Sequence, residues 1–203
     1  MKIIAIGRNY VAHIQELQNE IPQEPVVFLK PDTAILKNNM PFYYPDFSQD
    51  IHHEVEIVLK ISREGKSIAK EFAHKYYDEI GLGIDFTARD LQSQLKAKGL
   101  PWEIAKAFNG SAPISDFLPK TQFKDLRNLN FSLQVNGQLR QQGNTSLMIY
   151  DFDAIIAYVS QYFTLKKGDL IFTGTPQGVA PIQIGDRLQG YIEKTLMFDF
   201  EVK

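Results

Sequence analysis

Short runs in which every second residue is apolar dominate this chain, and they predict strands. Phe131, Leu133 and Val135 alternate with polar residues up to Asn136-Gly137, a dipeptide that tolerates positive φ at both positions and so favours a tight hairpin. Leu196, Phe198, Phe200 and Val202 repeat the period near the end. Residues 2–7, 25–29, 53–59, 80–86 and 170–173 also read as strands, and Gly81 and Gly83 indicate close approach of another group to the backbone of one of them. Helical spacing is rarer. Residues 10–17 predict a short helix with His13 and Glu16 on one face, too short to persist unless it docks. Thr87-Ala-Arg-Asp90 resembles a capping box that starts a helix running to about residue 98, where Gly99 and Pro101 stop it. Asp151 or Asp153 caps another through Phe163, with Ile155, Ile156, Val159 and Tyr162 along one side. The order lacks regular strand-helix alternation, so the pattern predicts an α+β, mainly β fold.

Composition narrows the function classes. The 203 residues have no long Pro, Ser or Gly tract, which predicts one domain over residues 1–203. Twenty-two basic and 24 acidic residues are well mixed, with a net charge of -2, so no positive field exists to hold nucleic acid. There is no cysteine, and a metal site must use oxygen and nitrogen donors. No signal-peptide pattern or bilayer-length apolar run is present, which predicts a cytoplasmic protein without membrane contact.

Candidate chemistry begins in His52-His-Glu-Val-Glu56. On an extended strand Glu54 and Glu56 leave one face while Val55, Ile57 and Leu59 leave the other. Alone, this pattern also describes a half-buried strand with a wet polar face. Asp85 changes the balance, because it follows the apolar run Ile80-Gly-Leu-Gly-Ile84 and is costly to bury without a cation. If three carboxylates meet, a divalent ion relieves their repulsion, and an all-oxygen set suits Mg²⁺ or Mn²⁺. Zinc is disfavoured, since His52 and His53 point to opposite faces. His13 with Glu16 makes a candidate general base, or an ordinary solvated pair. Lys106 lies in an amphipathic stretch where a snorkelling lysine is the plain alternative. Thr173-Gly-Thr-Pro-Gln-Gly178 offers N–H groups and a hydroxyl to a carboxylate, or is a simple turn.

Jointly these stretches resemble the fumarylacetoacetate hydrolase family, most of all its single-domain acylpyruvase and oxaloacetate decarboxylase branch. The resemblance rests on Gly7-Arg-Asn-Tyr10 with His13 and Glu16, Phe28-Leu-Lys-Pro31, His53-Glu-Val-Glu56, Asp85-Phe-Thr-Ala-Arg-Asp90 with Gln92, Lys98-Gly-Leu-Pro-Trp102 with Lys106, Val135-Asn-Gly137 and Thr173-Gly-Thr-Pro176 with Gly178. It implies a mixed β-sandwich or β-roll like that family's C-terminal domain, and a homodimer. It also implies Mg²⁺ or Mn²⁺ on Glu54, Glu56 and Asp85, and a mobile lid bearing His13 and Glu16. Lys106 would stabilise an oxyanion, and Arg8, Lys30, Gln92 and Thr175 would contact substrate. The implied reaction is hydrolysis of a small 2,4-dioxo acid to pyruvate and a carboxylic acid through an enolate, with oxaloacetate decarboxylation as a second outcome. A 2-hydroxy-dienoate isomerase or hydratase and a non-catalytic metal-binding module are the rival readings. Ala107 and Asn109 depart from residues common in the family.

Overall fold

The computed structural model describes residues 1–18 and 20–203. Its centre is a six-stranded sheet in the order Val26–Lys30, Ile3–Gly7, Leu170–Phe172, Val55–Ile61, Tyr77–Ile84 and Leu118–Pro119. Ile3–Gly7 runs parallel to Leu170–Phe172, and the other pairs are antiparallel. A four-stranded antiparallel sheet, ordered Gln138–Asn144, Asn130–Val135, Arg187–Ile192 and Thr195–Glu201, packs on one face of it. Ile57, Leu59, Leu82 and Ile84 from the first sheet join Phe131, Leu133, Leu188 and Phe198 from the second in one core. The opposite face carries a smaller core of Ile3, Val58, Leu170 and Phe172 with Ala112 and Ile114. The fold is thus mainly β with few helices, as the pattern predicted, and a mixed sandwich, as the family resemblance implied.

The central strands are buried on both faces, which corrects the half-wet reading of residues 53–59. That run is also two strands, Ile51–His53 and Val55–Ile61, in different sheets with the break at Glu54. Asn136 and Gly137 take φ of 54° and 75° in the expected hairpin. Asp151 caps the Phe152–Tyr162 helix by accepting the Ala154 N–H at 2.7 Å. The capping box at Thr87 does not form: Thr87–Ala88 is a short strand beside Ile51–His53, and the helix Arg89–Ala97 starts without a side-chain cap. The Thr87 hydroxyl is turned inward, donating to the Asp85 carbonyl at 3.2 Å and accepting from Lys106 at 2.6 Å. Among the described residues no helix is long and apolar enough to cross a membrane.

Gly83 illustrates how tightly the sheet closes near its polar end. A Cβ there would lie 2.7 Å from the Phe172 ring and 2.9 Å from Val58, both rigidly packed. Gly83→Ala is therefore expected to destabilise the protein by about 1–3 kcal/mol, read as a lower urea midpoint with an unchanged m-value.

Candidate metal and acid-binding site

Strand register assembles the acidic residues. Val55 pairs with Ile84 and Glu56 with Gly83, so Asp85, just past the end of its strand, falls beside Glu54 at the strand break. The Asp85 N–H donates to the Glu54 carbonyl at 2.8 Å. One carboxylate oxygen from each of Glu54, Glu56 and Asp85 lies within 4.8 Å of the others, and the residues are 5%, 2% and 1% exposed. Each ionised pair at such a distance repels by roughly 3 kcal/mol at an effective dielectric constant of about 20. Cations must stand nearby.

Three protein cations do. Lys106 Nζ lies 2.8 Å from Glu54 Oε2 and 2.6 Å from Asp85 Oδ2. Arg89 reaches Glu54 Oε1 at 2.5 Å and Gln92 Oε1 at 2.7 Å. Lys30 Nζ is 2.7 Å from Asp85 Oδ1, and it also donates to the Lys106 carbonyl and to the carbonyl and hydroxyl of Ser111. Lys106 is 3% exposed, so it does not snorkel. Among the described residues Glu56 has no cation in contact; its Oε2 accepts the Gly174 N–H at 2.7 Å. Gly174 can present that N–H because it sits at φ 103° and leaves room for Asn9, whose Cβ would be 2.7 Å from an added Cβ. The Asn9 side chain in turn donates to the carbonyls of Tyr150 and Thr173 at 3.0 and 2.8 Å.

These contacts divide the carboxyl groups. Burial would raise Glu54, but the charges of Lys106, Arg89 and His13 outweigh it and hold the group well below the usual carboxylate range. Burial, with the charges of Asp85 and Glu54 added, pushes Glu56 well above that range, against the pull of the Gly174 N–H. Burial lowers Lys30 despite the attraction of Asp85. At Lys106 burial also opposes the charge, yet Asp85 and Glu54 prevail and the ammonium is raised.

The cleft above the triad has a volume of about 40 Å³ and is walled by Arg8, His13, Phe28, Arg89, Gln92, Lys96, Trp102, Lys106 and Thr175. His13 comes from the helix Val11–Glu16, docked with His13 and Ile14 buried. Its Nδ1 lies 3.3 Å from Glu16 Oε2, and Glu16 Oε1 accepts the Gly178 N–H at 2.9 Å. The helix is thereby tied to the Thr173–Gly178 loop. Arg8 joins the wall from a left-handed backbone, φ 58°, a strained geometry for a non-glycine residue and one that clusters at functional positions. Of the residues singled out as catalytic, metal-holding or acid-binding, Glu16 and Lys30 do not wall the cleft: Glu16 stands beside His13 on its helix, and Lys30 is set back. It lies behind Asp85, 1% exposed, ion-paired to Asp85 and donating to Lys106 and Ser111.

The donor set suits a hard divalent cation. All three groups offer oxygen, and among the described residues Asp85 Oδ1 is buried with no hydrogen-bond partner, its 2.7 Å contact with Lys30 being an ion pair. Few protein ligands on such an ion leave positions for substrate oxygens. Arg89, Thr87 and Gln141 join the site although their own sequence positions do not mark them as site residues. Arg89 was within reach, since it stands three before Gln92 on one helix face. Gln141 carries no local signal at all.

The match to known proteins is extensive. The family profile described as "Fumarylacetoacetate (FAA) hydrolase C-terminal" matches residues 2–200. The chain belongs to the fumarylacetoacetate hydrolase family. Within it, the chain is 43% identical over 201 residues to the Bos taurus protein named oxaloacetate tautomerase FAHD1, mitochondrial, covering 99% of this chain and 91% of that one. It is 47% identical over 185 residues to the oxaloacetate decarboxylase, mitochondrial, of Dictyostelium discoideum, covering 91% and 85%. Among solved structures, the fumarylpyruvate hydrolase of Pseudomonas aeruginosa in complex with Mn²⁺ and pyruvate superposes with a TM-score of 0.94 at 35% identity, over 100% of this chain and 89% of that one.

Two outcomes are expected of the charge arrangement. Lys30→Met leaves Asp85 with one counter-ion fewer in a buried place and should cost about 3 kcal/mol, measured by urea unfolding. In chelator, the raised Glu56 carboxyl makes its contribution to stability complete below the unfolded glutamate value of about 4.3. That contribution is lost as pH rises through the folded value. Glu56→Gln should flatten this part of the pH profile of the melting temperature above about pH 4.3; an unchanged slope would contradict the assignment.

Proposed function

We propose that this chain is a Mg²⁺- or Mn²⁺-dependent enzyme that moves a proton at C3 of short 2-oxo dicarboxylic acids, interconverting the enol and keto forms of oxaloacetate. The observation that carries the reading is the pairing of an all-carboxylate cradle with a basic rim, Arg8, Arg89, Lys96 and Lys106, around one histidine in a small cleft. A dianionic acid fits such a rim better than a long apolar acyl chain does. The bovine relative bears a tautomerase name for oxaloacetate.

Glu54, Glu56 and Asp85 would hold a divalent cation, which would supply Lewis acidity to the oxygens of the bound acid. His13 does the proton work. With Nδ1 facing Glu16, its Nε2 is left with a lone pair for C3, and Glu16 stabilises the imidazolium that forms. As the proton leaves C3, the electron pair moves into the C2–C3 bond and charge gathers on the C2 oxygen. Lys106, its three N–H groups directed at Glu54, Asp85 and Thr87, meets that charge through the field of its buried ammonium, whose effect is greatest in the charged state. Arg8, Gln92 and Thr175 hold the acid's carboxylates, and Lys30 holds Asp85.

The same dyad favours a second reading, hydrolysis of acylpyruvates, in which His13 takes a proton from water that attacks the distal carbonyl. The Pseudomonas neighbour named for fumarylpyruvate supports it. Decarboxylation of oxaloacetate, as in the name of the Dictyostelium relative, needs no attacking water and passes through the same charge distribution.

His13→Ala should lower turnover by a factor of about 10²–10⁴, as for loss of a general base, while calorimetric Mn²⁺ affinity persists. Turnover of enol-oxaloacetate, acetylpyruvate and fumarylpyruvate, with and without Mg²⁺ or Mn²⁺, ranks the readings. Failure of the protein and cation to speed ketonisation of enol-oxaloacetate would sink the first.

A further inference from the structure

Gln141 lies on the Gln138–Asn144 strand of the four-stranded sheet and is 1% exposed. Its side-chain amide bridges the two halves of the site. Oε1 accepts the Val55 N–H at 3.0 Å and faces His53 Nδ1 at 2.8 Å. Nε2 donates to Thr175 Oγ1 at 2.8 Å and to the Pro176 carbonyl at 3.0 Å.

The direction of this amide is not free. The Val55 N–H can only donate and the Pro176 carbonyl can only accept, so a flipped amide would set donor against donor and acceptor against acceptor. Burial makes such a mismatch costly. Thr175 Oγ1 therefore receives a hydrogen bond, which occupies a lone pair and leaves its own O–H to be given elsewhere. Thr175 lines the cleft, and among the described residues no protein acceptor takes that proton.

We propose that Gln141 is a positioning residue that sets the polarity of the Thr175 hydroxyl, so that Thr175 presents a proton to a carboxylate oxygen of the bound acid. The role rests on the reading of the cleft as a 2-oxo acid site. It also has a structural competitor, because Val55 stands between Glu54 and Glu56 and the same amide could matter only by bracing that strand.

A double-mutant cycle separates the two. Oxalate affinity in the presence of Mn²⁺, by calorimetry, and KM and kcat for oxaloacetate are measured for wild type, Gln141→Met, Thr175→Val and the double variant. Each single change is expected to weaken oxalate by about tenfold, the scale of one hydrogen bond to a charged group, and to act on KM more than on kcat. The double variant should be no weaker than Thr175→Val alone. Multiplying effects, about a hundredfold in the double variant, would overturn the proposal and assign Gln141 to strand bracing. Unchanged oxalate affinity in Thr175→Val would instead remove Thr175 as an acid contact, and the role of Gln141 with it. Should circular dichroism show Gln141→Met unfolded, Gln141→Asn takes its place in the cycle. It keeps an amide for Val55 but is one methylene short of Thr175.

Discussion

Burying three carboxylates at one point is the constraint on which the rest of this structure depends. Water is excluded from Glu54, Glu56 and Asp85, so their charge has to be met by groups the protein itself holds in place. Lys30, Arg89 and Lys106 supply it from three separate segments, and each is fixed by further bonds to backbone or side chain. Lys30 is the deepest, clasping Asp85 on one side and the end of the Glu103–Lys106 helix on the other. The arrangement leaves Glu56 without a cation in contact, and its raised titration follows.

The fold provides this place by breaking its own regularity. The edge of the sandwich is where the Ile51–His53 and Val55–Ile61 strands part company and change sheets, and Glu54 occupies the step. Gly83 lets Phe172 press against the strand opposite Glu56, and Gly174 turns its N–H onto the Glu56 carboxylate. The Val11–Glu16 helix adds His13 from above, tied through Glu16 to Gly178. Six residues long, this helix is too short to persist alone and depends on the docking of His13 and Ile14.

Relatives with tautomerase, decarboxylase and hydrolase names sit on one architecture, and the geometry suggests why. In the reactions proposed for this chain, charge develops on the oxygen next to a carboxylate of a 2-oxo acid, where a carboxylate cradle flanked by buried ammonium groups is placed to meet it. The outcome then depends on whether the leaving group at C3 is a proton, carbon dioxide or an acyl carbon attacked by water. Fold alone does not choose among these.

The sequence by itself determined what depends on neighbours a few residues away. The strand alternation, the Asn136-Gly137 hairpin, the Asp151 cap and the shared face of Glu54 and Glu56 were all legible, because period and turn chemistry act locally. The motif resemblance made the triad, His13 and Lys106 legible as a set. Tertiary structure alone decided the rest. The Thr87 hydroxyl, which should have capped a helix, is drawn inward because a buried ammonium outbids an exposed N–H. Lys30 is spent on Asp85, and Gln141 arrives from the other sheet, 34 residues from Thr175. Such pairings are set by the register between distant strands and by the charge each buried group must find, and neither quantity is written in any short stretch of the chain.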